Sequence, residues 1–270
     1  MDWRLKALAF RVLDLPGGAH ALYFLQRYVT RNWPRRATTL DALAGIARRV
    51  TEGYARHVGG MPATALEIGA GRDLAVPLAL RRLGVREVIA SDVERLAKLD
   101  LMQHAAKQLF AGQARLSTWD DVRRFGIHYR APHYVSPDDP AVDCSCSNEV
   151  LEHVPAEQLP GLLKALRAVT RGITMHSIDY SDHYARSDQS LSRLNFLRYS
   201  DAEWQPFNSG KQFVNRLRHS DFLRLFREAG FTILEENSTA GEPPDGPISK
   251  QFSRYEPADL FAIKGRIIAR

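Results

Sequence analysis

From residue 63 onward, short apolar runs alternate with helical stretches, and no other feature of the chain constrains its fold as tightly. The runs at 65–68, 88–90, 127–130, 142–146, 173–176, 231–234 and 260–268 read as strands. Between them, 73–83, 93–110, 156–169 and 220–229 carry helical periodicity. Parallel neighbours need a crossover, usually a helix, so this succession predicts an α/β fold. Its expected core is a mostly parallel seven-stranded sheet with helices on both faces. The last run follows its predecessor without a clear helix and is expected to insert antiparallel.

Residues 1–60 read as a helical cap, and 61–270 as the main domain. In the cap, Leu5, Leu8, Ala9, Val12 and Leu13 recur at helical spacing until Pro16-Gly17-Gly18 breaks the run. Two further helical runs follow, at 19–30 and 39–57. The first helix is amphipathic and basic. Packing on the main domain is the commoner use of such a helix, and a peripheral contact with a membrane surface is the other. Residues 177–219 are polar and irregular with scattered aromatics. The stretch is too long for a plain loop, so it reads as a lid or substrate-binding insertion.

Composition removes several classes. With 44% apolar and 25% charged residues, the chain is neither disordered nor collagenous nor a coiled coil. Two cysteines, Cys144 and Cys146, cannot frame a disulfide-stapled scaffold. No apolar run reaches the 18 residues a spanning helix needs, and a cytoplasmic enzyme is the expectation. The net charge of +6 fits either an Arg-rich proteome or an anionic partner. A nucleic acid is the weaker expectation, because no run of five Lys or Arg occurs.

The first strand of the main domain runs into Glu67-Ile68-Gly69-Ala70-Gly71-Arg72-Asp73. Glycines at i and i+2 let the backbone turn tightly against a ligand. The third glycine of a dinucleotide fingerprint is replaced by Leu74, which argues against a pyrophosphate. Asp92, at the end of the second strand, stands where a carboxylate accepts from a ribose diol.

These residues, with Val142-Asp143-Cys144-Ser145-Cys146-Ser147-Asn148-Glu149-Val150-Leu151-Glu152-His153 at the fourth strand, resemble the class I S-adenosylmethionine-dependent methyltransferases. The resemblance covers roughly residues 60–270 and implies a Rossmann-like fold and S-adenosyl-L-methionine as cofactor. It assigns cofactor contacts to Glu67, Gly69, Ala70, Gly71, Asp92 and Asn148. One departure concerns the adenine. Family members often place an acid after the third strand, whereas here none occurs before Asp138.

Glu149, Glu152 and His153 lie at i, i+3 and i+4, so a helical turn would put them on one face. His176, Asp179, Asp182 and His183 follow the fifth strand, whose end should open on the same crevice. Solvated loop charges, an acid/base pair and a metal site are three readings of this set. The segment Glu149–His153 also resembles the metal motif of quinone-biosynthesis and small-RNA O-methyltransferases. That resemblance implies Mg²⁺ or Mn²⁺ on Glu149, Glu152 and His153, with His176 as the added ligand and His183 in reserve. In a metal-free version His153 or His176 is the catalytic base.

Downstream, Asp179–Tyr184, Leu194–Ser200 and Asn215–Arg218 resemble methyltransferases encoded with bacterial polysaccharide genes, and the mycobacterial methylmannose polysaccharide 1-O-methyltransferase. The acceptor implied is a sugar or glycan hydroxyl, with Tyr184, Tyr199, Trp204 and Phe207 available to stack on it. A quinone, lipid or other small-molecule acceptor is the alternative. A basic RNA-binding protein of methyltransferase-like fold is the alternative of another class.

Overall fold

The computed structural model describes residues 2–188 and 190–270. Its centre is a seven-stranded sheet in the order β3-β2-β1-β4-β5-β7-β6. The strands are β1 (Thr64–Ile68), β2 (Glu87–Ser91), β3 (Ile127–Arg130), β4 (Val142–Asn148), β5 (Thr170–Asp179), β6 (Ile233–Ala240) and β7 (Ala262–Ala269). All neighbours are parallel except β7, which pairs antiparallel with both β5 and β6. β1 sits where the strand order reverses, so its carboxyl end and that of β4 open a crevice.

Helices cover both faces. α3 (Ala37–His57), α4 (Ala75–Arg82) and α5 (Leu99–Leu109) bury one core with Ala65, Cys144, Cys146 and Ile173. The two cysteines are free, buried and part of that packing. α7 (Leu159–Val169) and α8 (His219–Glu228) close the other face around Leu66, Ile68, Ile178 and Ile267. The alternation of β1 between the two cores follows from the period of two along a strand.

α1 (Trp3–Leu13) and α2 (Gly18–Phe24) form a hairpin, continued by a π-helical turn over Leu25–Val29. Trp3 drops into a third cluster built by the insertion: Tyr184, Phe196, Leu197 and Trp204. Trp3 stacks on Trp204 at 5.7 Å between ring centroids and meets Phe207 edge-on at 4.7 Å. Tyr184 and Trp204 are therefore core residues here and offer no ring face to a ligand.

Three elements differ from expectation. The helix expected from residue 93 starts at Leu99, because Val93–Lys98 is loop, with Asp92 accepting from the Glu94 amide at 3.3 Å. β6 spans Ile233–Ala240 rather than 231–234, an exposed edge strand whose Glu235, Asn237 and Thr239 disguise it. α6 (Trp119–Arg124) was not expected, and its capping box of Thr118 and Asp121 marks it in the sequence.

Candidate active site

The turn after β1 is held to the end of β2. The amides of Gly69 and Ala70 donate to the Ser91 carbonyl at 2.8 and 3.1 Å, and the Gly71 amide donates to Asp92 Oδ2 at 3.1 Å. Gly69 and Gly71 both adopt φ of +72°, the left-handed region that glycine enters without strain. At Gly69 a Cβ would also come within 2.4 Å of Val150 Cγ2. Leu74, in the place of the missing third glycine, takes φ of +50° and is fully buried.

Beneath the turn lie carboxylates with unmet acceptors. Glu67 Oε2 and Asp73 Oδ2 are buried without a hydrogen-bond partner. Burial drives the Glu67 carboxyl well above its ordinary range, and the neighbouring Asp73 and Asp92 push it further, against the pull of Arg35. Arg35 pairs with Asp73 at 2.8 Å. Orphaned acceptors at a glycine turn suit a ligand bearing cationic or hydroxyl groups. Ala70 is buried within the turn. Asn148 is half-buried at the end of β4, paired in register with Ser177.

From this turn opens a cleft of about 380 Å³, with Gly69, Asp92, Val93, Val150, His153 and Leu162 among its lining. His133, Tyr134 and Val135, which follow β3, form another part of its wall. His133 Nδ1 lies 2.8 Å from Ser91 Oγ, and Nε2 lies 3.1 Å from Asp139 Oδ1. The carboxylate accepts, so Nε2 carries the proton and the Ser91 hydroxyl donates to Nδ1. The sequence offers no acid between β3 and Asp138; His133, oriented by Asp139, stands there instead. A second cavity, of about 310 Å³, adjoins through the shared residues Asp92, Val93 and His153. Leu22, Arg72, Lys211 and Phe213 also line it.

The Glu149–His153 segment does not form the expected α-helical face. Glu149 takes φ of +54°, and only Leu151–His153 make a 3₁₀ turn. Glu149 is consequently turned toward cations, 3.2 Å from Arg186 and 3.5 Å from Lys264. His176 is also removed from the set. It lies inside the sheet with zero exposure, its Nδ1 2.7 Å from Ser147 Oγ and its Nε2 2.6 Å from Thr174 Oγ1. Both ring nitrogens are occupied, and burial pushes the imidazole down to about 3. It is a satisfied core histidine, out of reach of an acceptor or a metal.

Glu152, His153 and His183 do converge. One ligand-capable atom from each lies within 4.8 Å of the others. Glu152 Oε1 accepts from the Asp179 amide at 3.3 Å, whereas its Oε2 is buried and unpartnered. Burial lifts this carboxyl well above its ordinary range. His183 Nε2 is likewise buried without a hydrogen-bond partner, and burial beside Arg186 lowers its imidazole to about 3. The rings of His153 and His183 meet edge-on, 5.0 Å between centroids.

His153 stands at the rim of both cavities. Its Nδ1 lies 2.6 Å from the Phe213 carbonyl. A carbonyl only accepts, so Nδ1 carries the proton and Nε2 keeps its lone pair. Crowding by the protein holds the imidazole below 6.5, with the Phe213 bond opposing and Arg186 assisting. A neutral imidazole with a free lone pair, beside a nucleotide-sized cleft, can take a proton.

A family model described as "Methyltransferase domain" matches residues 18–236, most of the chain. The chain belongs to that methyltransferase family. It is an S-adenosylmethionine-dependent methyltransferase with the Rossmann-like fold. Among solved structures, magnesium protoporphyrin IX methyltransferase from Synechocystis is similar, in its S-adenosylhomocysteine-bound form. The identity is 12% and the TM-score 0.52, with coverage of 97% of this methyltransferase and 98% of that chain. Its S-adenosylmethionine-bound form gives 10% identity and a TM-score of 0.51, covering 97% and 95%. A protein from Nostoc punctiforme described as an O-methyltransferase gives 15% identity and a TM-score of 0.49. The match covers 85% of this methyltransferase but spans only 56% of the Nostoc chain. At these identities the likeness is one of fold. The methyltransferase matches no curated protein by sequence.

Proposed function

We propose that this methyltransferase acts on an acceptor oxygen, a sugar or glycan hydroxyl, with His153 as general base. The observation that carries the reading is the fixed tautomer of His153, whose free Nε2 borders both cavities. Bound S-adenosylmethionine supplies a methyl group already activated by the sulfonium. Gly69, Gly71 and Asp92 would hold that cofactor, with Asp92 available to its ribose hydroxyls and the Glu67 and Asp73 carboxyls to its amino-acid end. His133 and Val135 take the place of the usual acid near the adenine. His153 Nε2 would take the acceptor O–H proton as that oxygen gains the methyl group, leaving S-adenosylhomocysteine as the other product. The rest of the work is alignment of the two reactants. Arg72, Glu94 and Lys211 in the second cavity offer donors and acceptors to a polyhydroxyl acceptor.

A metal-assisted version is favoured by one specific observation, the unpartnered Glu152 Oε2 and His183 Nε2. Glu152, His153 and His183 would hold Mg²⁺ or Mn²⁺, which lowers the pKa of a nearby hydroxyl. Methyl transfer to a panel of sugar and small-molecule hydroxyls, measured with and without chelator, separates the versions. Activity that survives chelator and dies in His153→Ala supports the base. Activity lost to chelator and restored by Mg²⁺, with Glu152→Gln equally inactive, supports the metal. Full activity in His153→Ala overturns both.

A further inference from the structure

The N-terminal hairpin leaves two stripes of large apolar side chains in solvent. On α1, Leu5, Leu8 and Val12 are each about 60% exposed, on the side opposite the buried Trp3 and Ala7. Beyond the turn, Leu15 is equally exposed, and Phe24, Leu25, Tyr28 and Val29 form the second stripe. Among the described residues, most of the exposed large hydrophobic side chains thus fall between positions 5 and 29. Scattered exposed leucines are ordinary; two stripes on adjoining helices mark an interaction surface.

The same segment holds most of the net charge. Residues 2–36 carry seven Lys or Arg (Arg4, Lys6, Arg11, Arg27, Arg31, Arg35 and Arg36) against Asp2 and Asp14, a net of +5 out of +6 for the whole chain. Lys6 and Arg11 are tied to the insertion, and Arg27 and Arg35 to Asp100 and Asp73, while Arg31 and Arg36 are exposed. No helix among the described residues is long and apolar enough to cross a membrane. Apolar stripes with a basic flank match a surface that is apolar at depth and anionic above, and a protein partner would need no such bias in charge.

We infer that the α1–α2 hairpin is an interfacial foot that docks this methyltransferase on an anionic bilayer surface. The inner edge of the foot is also a wall of the active site, since Ala19 and Leu22 line the cavity that contains His153 and Lys211. Resting on the reading of that cavity as the acceptor's, the acceptor class is one carried at the bilayer, a hydroxyl on an amphiphilic molecule.

The test is co-sedimentation of the full chain with phosphatidylcholine vesicles, with and without a minority of phosphatidylglycerol. The wild type is expected to sediment with the anionic vesicles only, and added salt should weaken that binding. Leu8→Glu with Val12→Glu, and separately Phe24→Ser with Tyr28→Ser, should each reduce the bound fraction roughly tenfold. Cofactor affinity by calorimetry should be unchanged in both, which shows that they fold and separates this test from the acceptor reading. Absence of vesicle binding by the wild type overturns the inference, as does equal binding to neutral vesicles. So does a dimer that Leu8→Glu with Val12→Glu dissociates, which would assign the stripes to a second copy.

Discussion

The Gly71 amide and the Asp92 carboxylate meet at 3.1 Å, so one oxygen of Asp92 is already committed to shaping the turn that faces it. The other accepts from Glu94 at 3.3 Å, a longer bond that leaves capacity for a ribose hydroxyl. Asp92→Ala removes the brace of the turn together with the proposed contact to the cofactor. Loss of a charge-assisted hydrogen bond costs about 1.5–3 kcal/mol, so cofactor affinity should fall roughly tenfold to a hundredfold. Calorimetry on the wild type and the variant decides it, and an unchanged Kd removes Asp92 from the site.

Gly69→Ala is expected to be worse for the turn than its size suggests. The added methyl meets Val150 Cγ2 at 2.4 Å and the backbone stays at φ of +72°. The left-handed conformation alone costs about 1–2 kcal/mol. Pairing it with Val150→Ala should recover the clash and leave the conformational cost. The expected order of melting temperatures in thermal denaturation is wild type, double variant, Gly69→Ala.

The pH dependence of turnover should report His153. Its protonated form is disfavoured by its surroundings, so its pKa lies below 6.5. A base acts when deprotonated. The rate should therefore rise with pH through a midpoint below 6.5 and be flat above neutrality. His153→Gln should lose that limb together with most of the activity while keeping cofactor affinity. Initial rates between acid and neutral pH, measured at saturating cofactor, provide the check.

His176 should be visible in stability rather than catalysis. Its folded pKa is about 3, against 6.5 for an exposed histidine. Between those values the unfolded chain binds the proton and the folded one does not. Stability is therefore complete above 6.5 and lost as pH falls from there toward 3. For this one group the loss from pH 7 to pH 5 is about 2 kcal/mol. His183, also lowered to about 3, adds to the same slope. Urea unfolding at the two pH values should show a smaller difference in His176→Gln, and an identical difference would remove the assignment.

The fold was legible where side-chain pattern alone decides structure. β1 and β2 are short apolar runs set between helices, and the turn at Gly69 and Gly71 carries its own chemistry. What escaped was set by backbone states and strand parity. Nothing in Glu149-Val150-Leu151-Glu152-His153 announces that Glu149 takes a positive φ, and that one residue turns the expected helical face into a 3₁₀ turn. β5 continues to Asp179, so His176 sits mid-strand opposite Ser147 instead of in the loop.

The partners of the site residues were less legible still, because they come from distant segments. The Phe213 carbonyl that orients His153 is 60 residues away, and a backbone carbonyl has no sequence signature. Asp139, which orients His133, is an acid after β3, set beyond a proline turn rather than at the strand end. His183 meets Glu152 and His153 because it lies just past the end of β5, which pairs with β4; that convergence of strand ends was legible, whereas the partners that orient each ring were not.

Trp3 and Trp204 stack with an interplanar angle of 24°, one indole from the first helix and one from the insertion. Each ring is buried by the other's segment, so neither segment can shift without separating the pair. Two indoles in such proximity couple their electronic transitions. The near-ultraviolet circular dichroism of the protein therefore contains a built-in gauge of whether the N-terminal helix is seated, readable without any label.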